Sequence, residues 1–581
     1  MAESTIRHSC FFDVLSDELI IQVLHHCQYN EILQFATTNK RHYIIVSESV
    51  SLKLHIELEV NGLYIVQGSR SRDGTYSRLL DELVRYRNSW LNLDLEEPIE
   101  RNSNQVMSLW ELREGNYVVA FSSTSSQAWG PDSIQITPID PLETPQPVTF
   151  STVFSEFTPD FEQELVALIK TDPNDTTRLE VRLCSAITGH SHPLARNPTF
   201  TVQVDFQIPG PGRQTFTLEI VENILVVRIA DIMRDRYEIL AWDWKSGALL
   251  CRVGCDSGLA DFALLDSTHL ALFSVEVEGA GPRLITISLY SIHQMYGELS
   301  SGQVFYATEY TCARPILTFE FPKLDNSHVV ASRVIMRSDP IPQRTVYTKS
   351  ASFAHCTALT FSIILSLLDL SNPGADEHSV NLRIFISVQS LRSHLLELAN
   401  EEDTTVVPWD VWGTRATRWF LCDKPTSYWV YWTSGSRFVR VDENPDSARH
   451  DLSVFEFHTP MVRRHALSYI HSSLEQQASQ YKEKTKEIVL KGSGLSCPHP
   501  ANSLLDTDLP PLLVNTVGSD MPTIIETGFS IPVESCLPYR VVTRPNFVPW
   551  CEDWSIDGDH IIGTTPVRRN VDRLTVYKLR T

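Results

Sequence analysis

Catalytic spacing is what this sequence lacks most plainly. Its 581 residues contain no Gly-x-x-x-x-Gly-Lys to cradle phosphate, no Gly-x-Gly-x-x-Gly for a dinucleotide, no His-Glu-x-x-His and no Gly-x-Ser-x-Gly. Basic charge is scarce: 49 Lys and Arg stand against 71 Asp and Glu, a formal charge of −22. That balance opposes binding to a nucleic-acid backbone or an anionic membrane, so neither is expected as a partner. Long apolar runs are missing too. The longest, Ala358 to Leu370, is too short to span a bilayer and predicts a buried strand. The first residues, Met1 to His8, show no basic start leading into an apolar core, so no secretory signal is expected. The 11 cysteines are odd in number and follow no framework. They predict reduced thiols and a cytoplasmic or nuclear location, where the sequon at Asn174 carries no weight.

Candidate ligand and reactive groups are equally thin. His190 and His192 lie one residue apart, as do Cys497 and His499, but neither has a second pair to complete a zinc site. His25 and His26 are adjacent, so on a helix they point about 100° apart and read as helix-end residues. Cys251 and Cys255 read as buried thiols. Trp409, Trp412, Trp419, Trp429 and Trp432, with Tyr428 and Tyr431, form the densest aromatic region. Core packing of neighbouring strands is the reading, with an aromatic recognition surface as the alternative. No metal, cofactor or catalytic residue is expected, and the chain reads as a non-enzyme.

What is present begins at Phe11. Leu15, Leu19, Ile20, Val23 and Leu24 recur at a spacing that builds one apolar stripe on a helix. Ser16 stands at its N-cap, and Asp17 and Glu18 favour its positive end. A second helix from Asn30 presents Ile32, Leu33, Phe35 and Ala36, and a third runs through Tyr43, Ile44 and Ile45. Three helices this short leave apolar surface over. At Leu15, Glu18, Leu19, Ile20, Val23, Leu24, Ile32, Leu33, Phe35, Ala36 and Lys40 the segment resembles the F-box, with Ser16, Asn39 and His42 where that family usually has proline, cysteine and tryptophan. The stretches from Glu48 and from Arg78 to Trp90 also look like a large group of fungal F-box proteins. The competing reading is a helical subdomain packed on its own chain.

Residues 51–98 read as helix, turn, helix, with Gly62, Gly68 and Gly74 in the middle and the second helix running from Tyr76 to Leu91, ended by Glu96, Glu97 and Pro98. After residue 100 the period changes from 3.6 to 2. Hairpins of an apolar strand, a polar loop and an alternating strand recur at Glu164 and Leu179, Asn223 and Tyr237, His269 and Leu284, Phe438 and Leu452, and Asp559 and Leu574. Trp242 and Asp243, followed by Lys245, Ser246 and Gly247, resemble the turn into the fourth strand of a WD-repeat blade. A hairpin cannot bury both faces alone, so hairpins at this period must stack. The expectation is a mainly β fold ending in a β-propeller of seven blades, with six or eight also fitting and a β-sandwich pair as the alternative. Two blades are assigned to the gap between Tyr290 and Phe455. A helix from Ser473 to Lys491 and a proline-rich stretch from Cys497 to Pro538 read as an insertion at about 467–538.

The domain expectation is therefore an F-box at 11–50, a helical linker at 51–98 and a propeller-like domain at 99–581. The resemblance implies a Skp-type adaptor of a cullin-RING ubiquitin ligase as partner, with the β domain holding an unidentified protein substrate. It implies Leu15, Leu19, Ile20, Val23, Leu24, Ile32 and Leu33 as the adaptor-facing set. A non-catalytic propeller scaffold without a ligase role is the alternative. No residue is assigned to the target site.

Overall fold

The change of period near residue 100 is a change of element. The computed structural model describes residues 12, 15–102, 105, 109–124, 130–140, 143–209, 215–231, 233–276, 284–293, 297–298, 304–371, 380–398, 404–422, 433–443, 447–470, 512–567 and 571–581. Helices α1 (Asp17–Leu24), α2 (Tyr29–Thr38), α3 (Lys40–Glu48), α4 (Val50–Val60) and α5 (Tyr76–Asn92) come first, and strands follow. Thr75 caps α5 by accepting a hydrogen bond from the Arg78 amide, a contact worth about 1 kcal/mol. This helix stops before Pro98 can act. Leu93 turns left-handed at φ 45°, and Arg544 Nε donates to its carbonyl at 2.8 Å.

The β region folds into seven successive sheets of four antiparallel strands each, with Val304–Tyr306 and Thr405–Val407 added in parallel at the outer edges of the second and fourth. The first comprises Leu109–Arg113, Asn116–Phe121, Ser133–Pro138 and Val148–Thr149; the second Glu156–Asp160, Leu165–Thr171, Arg178–Ser185 and Thr199–Gln203. The third comprises Phe216–Val221, Ile224–Asp231, Arg236–Asp243 and Ala248–Cys255; the fourth Gly258–Leu264, His269–Glu276, Leu284–Ser291 and Leu317–Glu320. The fifth comprises His328–Arg337, Thr360–Asp369, Val380–Ser387 and Thr417–Cys422; the sixth Thr433–Ser434, Arg437–Asp442, His450–Glu456 and Tyr539–Val548. The seventh joins Asp553–Asp557, His560–Val567 and Val571–Lys578 to Ile99–Asn102 from the start of the β region. Each sheet thus meanders outward from its first strand, and the last borrows its outer strand from the front of the chain.

Among the described residues no sheet closes on itself; closure comes from packing face to face. Val118 and Ile134 of the first sheet meet Phe157 and Val166 of the second, and Val181 and Phe200 of the second meet Leu225 and Trp242 of the third. Ile239 meets Phe262 and Leu272, Phe273 meets Phe361 and Ile384, and Phe385 stacks on Phe457 at 4.1 Å between centroids. Val454 and Val542 meet Trp554 and Tyr577, and Ile562 and Val576 of the seventh sheet return to Trp110 and Leu112 of the first. Seven apolar interfaces in sequence order make a ring. A pair of packed sheets would not give that circuit.

The five hairpins read from the sequence are the second and third strands of the second, third, fourth, sixth and seventh sheets. The gap from Tyr290 to Phe455 holds one whole sheet, the fifth, rather than two, because residues 338–359 and two helices, α6 (Val388–Leu398) and α7 (Trp409–Ala416), occupy the rest of that length. The remaining sheet lies ahead of Glu164. Trp409 and Trp412 belong to α7, not to a strand, and pack with Trp419 in the core between the fourth and fifth sheets. Trp429, Trp432, Tyr428, Tyr431, Cys497, His499 and the helix read at 473–491 lie outside the described residues. After α8 (Thr459–Ile470), the proline-rich stretch re-enters as strand Leu513–Val517, which pairs with Tyr539–Val548 at the edge of the sixth sheet. Ala358 to Leu370 does contain a buried strand, Thr360–Asp369.

Candidate binding surface and the channel of the ring

Two places concentrate side chains whose environment asks for an explanation: the outer face of α1 to α3, and the axis of the ring. On the helices, Arg41 ties α3 to the start of α1 by donating to the Leu15 carbonyl at 2.6 Å and to Asp17 at 2.7 Å. Asn39 caps α3 through its side-chain oxygen, which accepts from the His42 amide at 2.8 Å. The His42 ring is buried and stacks on Phe35 at 3.9 Å. Asn39 and His42 therefore have local structural work in this module. Ser16 occupies the N-cap position but makes no side-chain cap bond.

The seven residues read as facing an adaptor divide. Ile20, Leu24 and Ile32 are buried in the module's own core with Ala36, Ile45, Val46 and Leu52, and Leu15 packs half-buried against it. Ile20, Leu24 and Ile32 are thus removed from the outward set. Adjacent helical residues point about 100° apart, so one of each pair must turn inward when three helices close on one another. Leu19, Val23 and Leu33 stay on the surface, joined by Tyr43 and Ile44; these five are 41 to 61% exposed. Tyr43 and Ile44 were present in the sequence as part of a continuous apolar run from 43 to 46, too wide for a helix of this length to bury. Beside them a groove of about 480 Å³ opens between α2 and α3 on one side and α4 and α5 on the other, lined by Leu33, Tyr43, Ile56, Leu80 and Val84 with Lys53, Asp81 and Arg464 at its edge.

Along the axis, the first strands of the first three sheets alternate between core and channel. Trp110, Phe157 and Leu218 enter the cores, while Glu111, Arg113, Glu156, Thr158 and Glu219 turn away from them. Arg113 bridges Glu111 at 3.1 Å and Glu219 at 2.8 Å; Arg337 reaches Asp261 at 2.8 Å. Glu111, Arg113, Glu156, Glu219 and Arg337 surround, with Asp339, a cavity of about 50 Å³. Burial pushes Glu219 up to about 7 against the pull of Arg113, and Asp339 is raised by the same cause. The arrangement is a clamp of arginines and carboxylates that fixes inner strands to one another. His192, singled out in the sequence, is buried: its Nε2 lies 3.0 Å from the Gln163 carbonyl and its ring stands edge-on to Trp244. Among the described residues no group of three or more His, Cys, Asp or Glu is placed to hold a metal ion, and no helix is long and apolar enough to cross a membrane.

No family model matches the chain, and no curated protein does. Among solved structures, Hsv2 of Kluyvelomyces marxianus shares 10% identity over 48% of this chain and 66% of its own, with a TM-score of 0.21; the chain thus spans just under two thirds of that relative. The WD40 domain of SCAP from fission yeast shares 8% identity over 83% of this chain and 94% of its own, with a TM-score of 0.28. The β-propeller domain of the Trilobed protease from Pyrococcus furiosus shares 9% identity over 61% and 90%, with a TM-score of 0.25. Likeness at these scores carries no argument, so the architecture rests on the chain's own sheet order and seven interfaces.

Proposed function

We propose that the ring is a seven-bladed β-propeller and that the protein is a substrate-recognition adaptor of a Skp-cullin-F-box type ubiquitin ligase. In this reading α1 to α3 form an F-box that binds the Skp-type adaptor, and the propeller holds the target. The observation that carries it is the surface of Leu19, Val23, Leu33, Tyr43 and Ile44: a module with a complete core of its own still presents apolar side chains to water. The protein would act by proximity, raising the effective concentration of the target's lysines near a ubiquitin-charged enzyme.

The test uses residues that are exposed. Leu19→Asp with Val23→Asp is expected to abolish co-purification of a Skp-type adaptor and cullin while leaving the melting temperature within about 2 °C, since surface changes cost little. An unchanged complex sinks the reading. The packing of α4 and α5 into the ring, through Leu54, Leu83 and Trp90, favours a second reading in which the helices serve the fold alone and the chain is a scaffold without a ligase role. Under it, the same double variant leaves every cellular partner in place.

A further inference from the structure

In six of the seven sheets the first strand turns directly into the second, at residues 114–115, 161–164, 222–223, 265–268, 435–436 and 558–559. The fifth sheet differs. Its connection runs over 338–359 and folds into strands Thr345–Thr348 and Ser352–Ala354. This segment reaches the same rim of all six other sheets. Arg344 pairs with Glu114 of the first at 2.9 Å and with Asp160 of the second, and it donates to the Ile220 carbonyl of the third at 3.2 Å. Gln343 bonds Ser267 beside the fourth at 3.2 Å, and the Asp339 carbonyl accepts from the Gly435 amide at the sixth at 2.6 Å. At the seventh, Gly558 has φ 57° and lies so near Val346 that a Cβ would come within 2.9 Å of the Val346 carbonyl oxygen.

The other side of the segment holds the helices. Tyr64 and Ile65, between α4 and α5, pair with Ala354 and Phe353 as a third strand. Tyr347 stacks on Tyr86 of α5 at 4.6 Å between centroids. Ser350 donates to Glu82 of α5 from its amide at 3.1 Å and its hydroxyl at 2.6 Å, and His355 Nδ1 lies 2.7 Å from the Gly62 carbonyl.

We propose that residues 338–359 are a strut that seals one mouth of the channel and locks the N-terminal helices to the ring at a single angle. Its contacts on one side span the rim and on the other engage α5 and the strand before it, so rotation of the helices against the ring must break one of these sets as well as the direct packing of Leu83 and Trp90 on the ring. A connection of two to four residues, as in the other six sheets, could reach neither. The consequence is that whatever binds the outward face of α1 to α3 is held at a fixed distance from the opposite face of the ring, and this stands whether or not that partner is a ligase adaptor.

Single-molecule energy transfer in the full chain tests it, with dyes attached through non-canonical residues at the exposed positions Gln34 on α2 and Asn174 in the loop between the second and third strands of the second sheet. The unaltered chain is expected to show one narrow transfer population. Replacing residues 345–354 by a Gly-Ser linker is expected to widen it measurably, by less than for bodies joined only by a flexible tether because Leu83 and Trp90 still pack on the sixth and seventh sheets, and Tyr347→Ala with Ser350→Ala to widen it in the same direction without removing the segment. Circular dichroism and a cooperative melt establish that each variant is folded. If the linker variant fails to fold, the double variant decides. Wild-type width in every folded variant overturns the strut.

Discussion

Replacing Arg418 by Met is expected to cost the protein about 3 kcal/mol of stability, read from the shift of its urea midpoint. The side chain is fully buried, and among the described residues no carboxylate pairs with it. Instead Nε donates to the Leu537 carbonyl at 2.7 Å, Nη1 to the Met521 carbonyl at 2.8 Å and Thr523 Oγ1 at 3.1 Å, and Nη2 to the Gly518 carbonyl at 3.4 Å. The guanidinium also lies over the Tyr539 ring at 5.3 Å. Two terms oppose. Met removes the cost of burying a cation, which already holds the Arg418 pKa below its usual range. It also strands the buried Leu537 carbonyl and Thr523 hydroxyl, each worth about 1–3 kcal/mol when left unpaired, leaves the half-buried Met521 and Gly518 carbonyls without this donor, and packs less volume. The acceptors win because they gather on one segment, 518–537, whose own hairpin, Thr523–Ile525 with Val533–Ser535, is too small to stand alone; the arginine adds to the bonds from the Cys536 and Leu537 amides to the Thr414 and Thr417 carbonyls and to the burial of Ile525, Phe529 and Val533 in the core. Lysine is no substitute, since one ammonium cannot span acceptors that a planar fork reaches together. Amide exchange at 518–537 should therefore accelerate before the rest of the ring does. A midpoint that moves by less than about 0.5 kcal/mol, with exchange unchanged, would show that the arginine is incidental.

Arg418 also marks where sequence reading stops. The five hairpins were legible because the second and third strands of a sheet are covered on both faces and carry an apolar run beside a clean alternation, as in Leu165–Thr171 and Arg178–Ser185. The first strands hide. Glu111, Glu156, Glu219, Asp261 and Asp557 face other inner strands, and charge at those positions reads locally as a loop. The three helices were legible from their period, but Leu19 with Ile20 and Val23 with Leu24 are both apolar, so which member turns outward depends on how α1 to α3 close, a tertiary fact. The strut was not legible at all. Asp339, Pro340 and Pro342 suggest an ordinary connection, and nothing local distinguishes Arg344 from any surface arginine until its two carboxylate partners arrive from other sheets.

Those carboxylates lead to the last expectation: stability should be nearly level from about pH 4.5 to 6.5 and then fall as the pH rises toward 9. Burial raises Glu114 and Glu219 to about 7 from an ordinary 4.5. The folded state therefore holds their protons more tightly, and stability declines as pH rises from the unfolded value through the folded one. Histidines, His355 buried and His465 half-buried, run the other way. Desolvation lowers His355 and His465 to about 4 from 6.5, so the unfolded chain binds the extra protons and stability climbs over that interval. The two groups offset each other up to about pH 6.5. Beyond it only falling contributions remain: the ends of the Glu114 and Glu219 titrations, and His560, which Asp140 and Asp559 hold protonated up to about 9 against the cost of its burial. Having a raised value, the His560 contribution is complete below 6.5 and lost through 9. Glu114→Gln isolates one of these terms. Between pH 5 and pH 8 the stability difference between variant and parent should change by roughly 2–3 kcal/mol in favour of the variant, because a neutral amide has no proton to lose. Whatever contact the amide makes or loses with Arg344 cancels in that comparison of two pH values. A difference that stays constant across the interval would mean that Arg344 already holds Glu114 ionised at neutral pH. In that case the strut's anchor on the first sheet is a full ion pair throughout, and the alkaline loss must come from Glu219 and His560 alone.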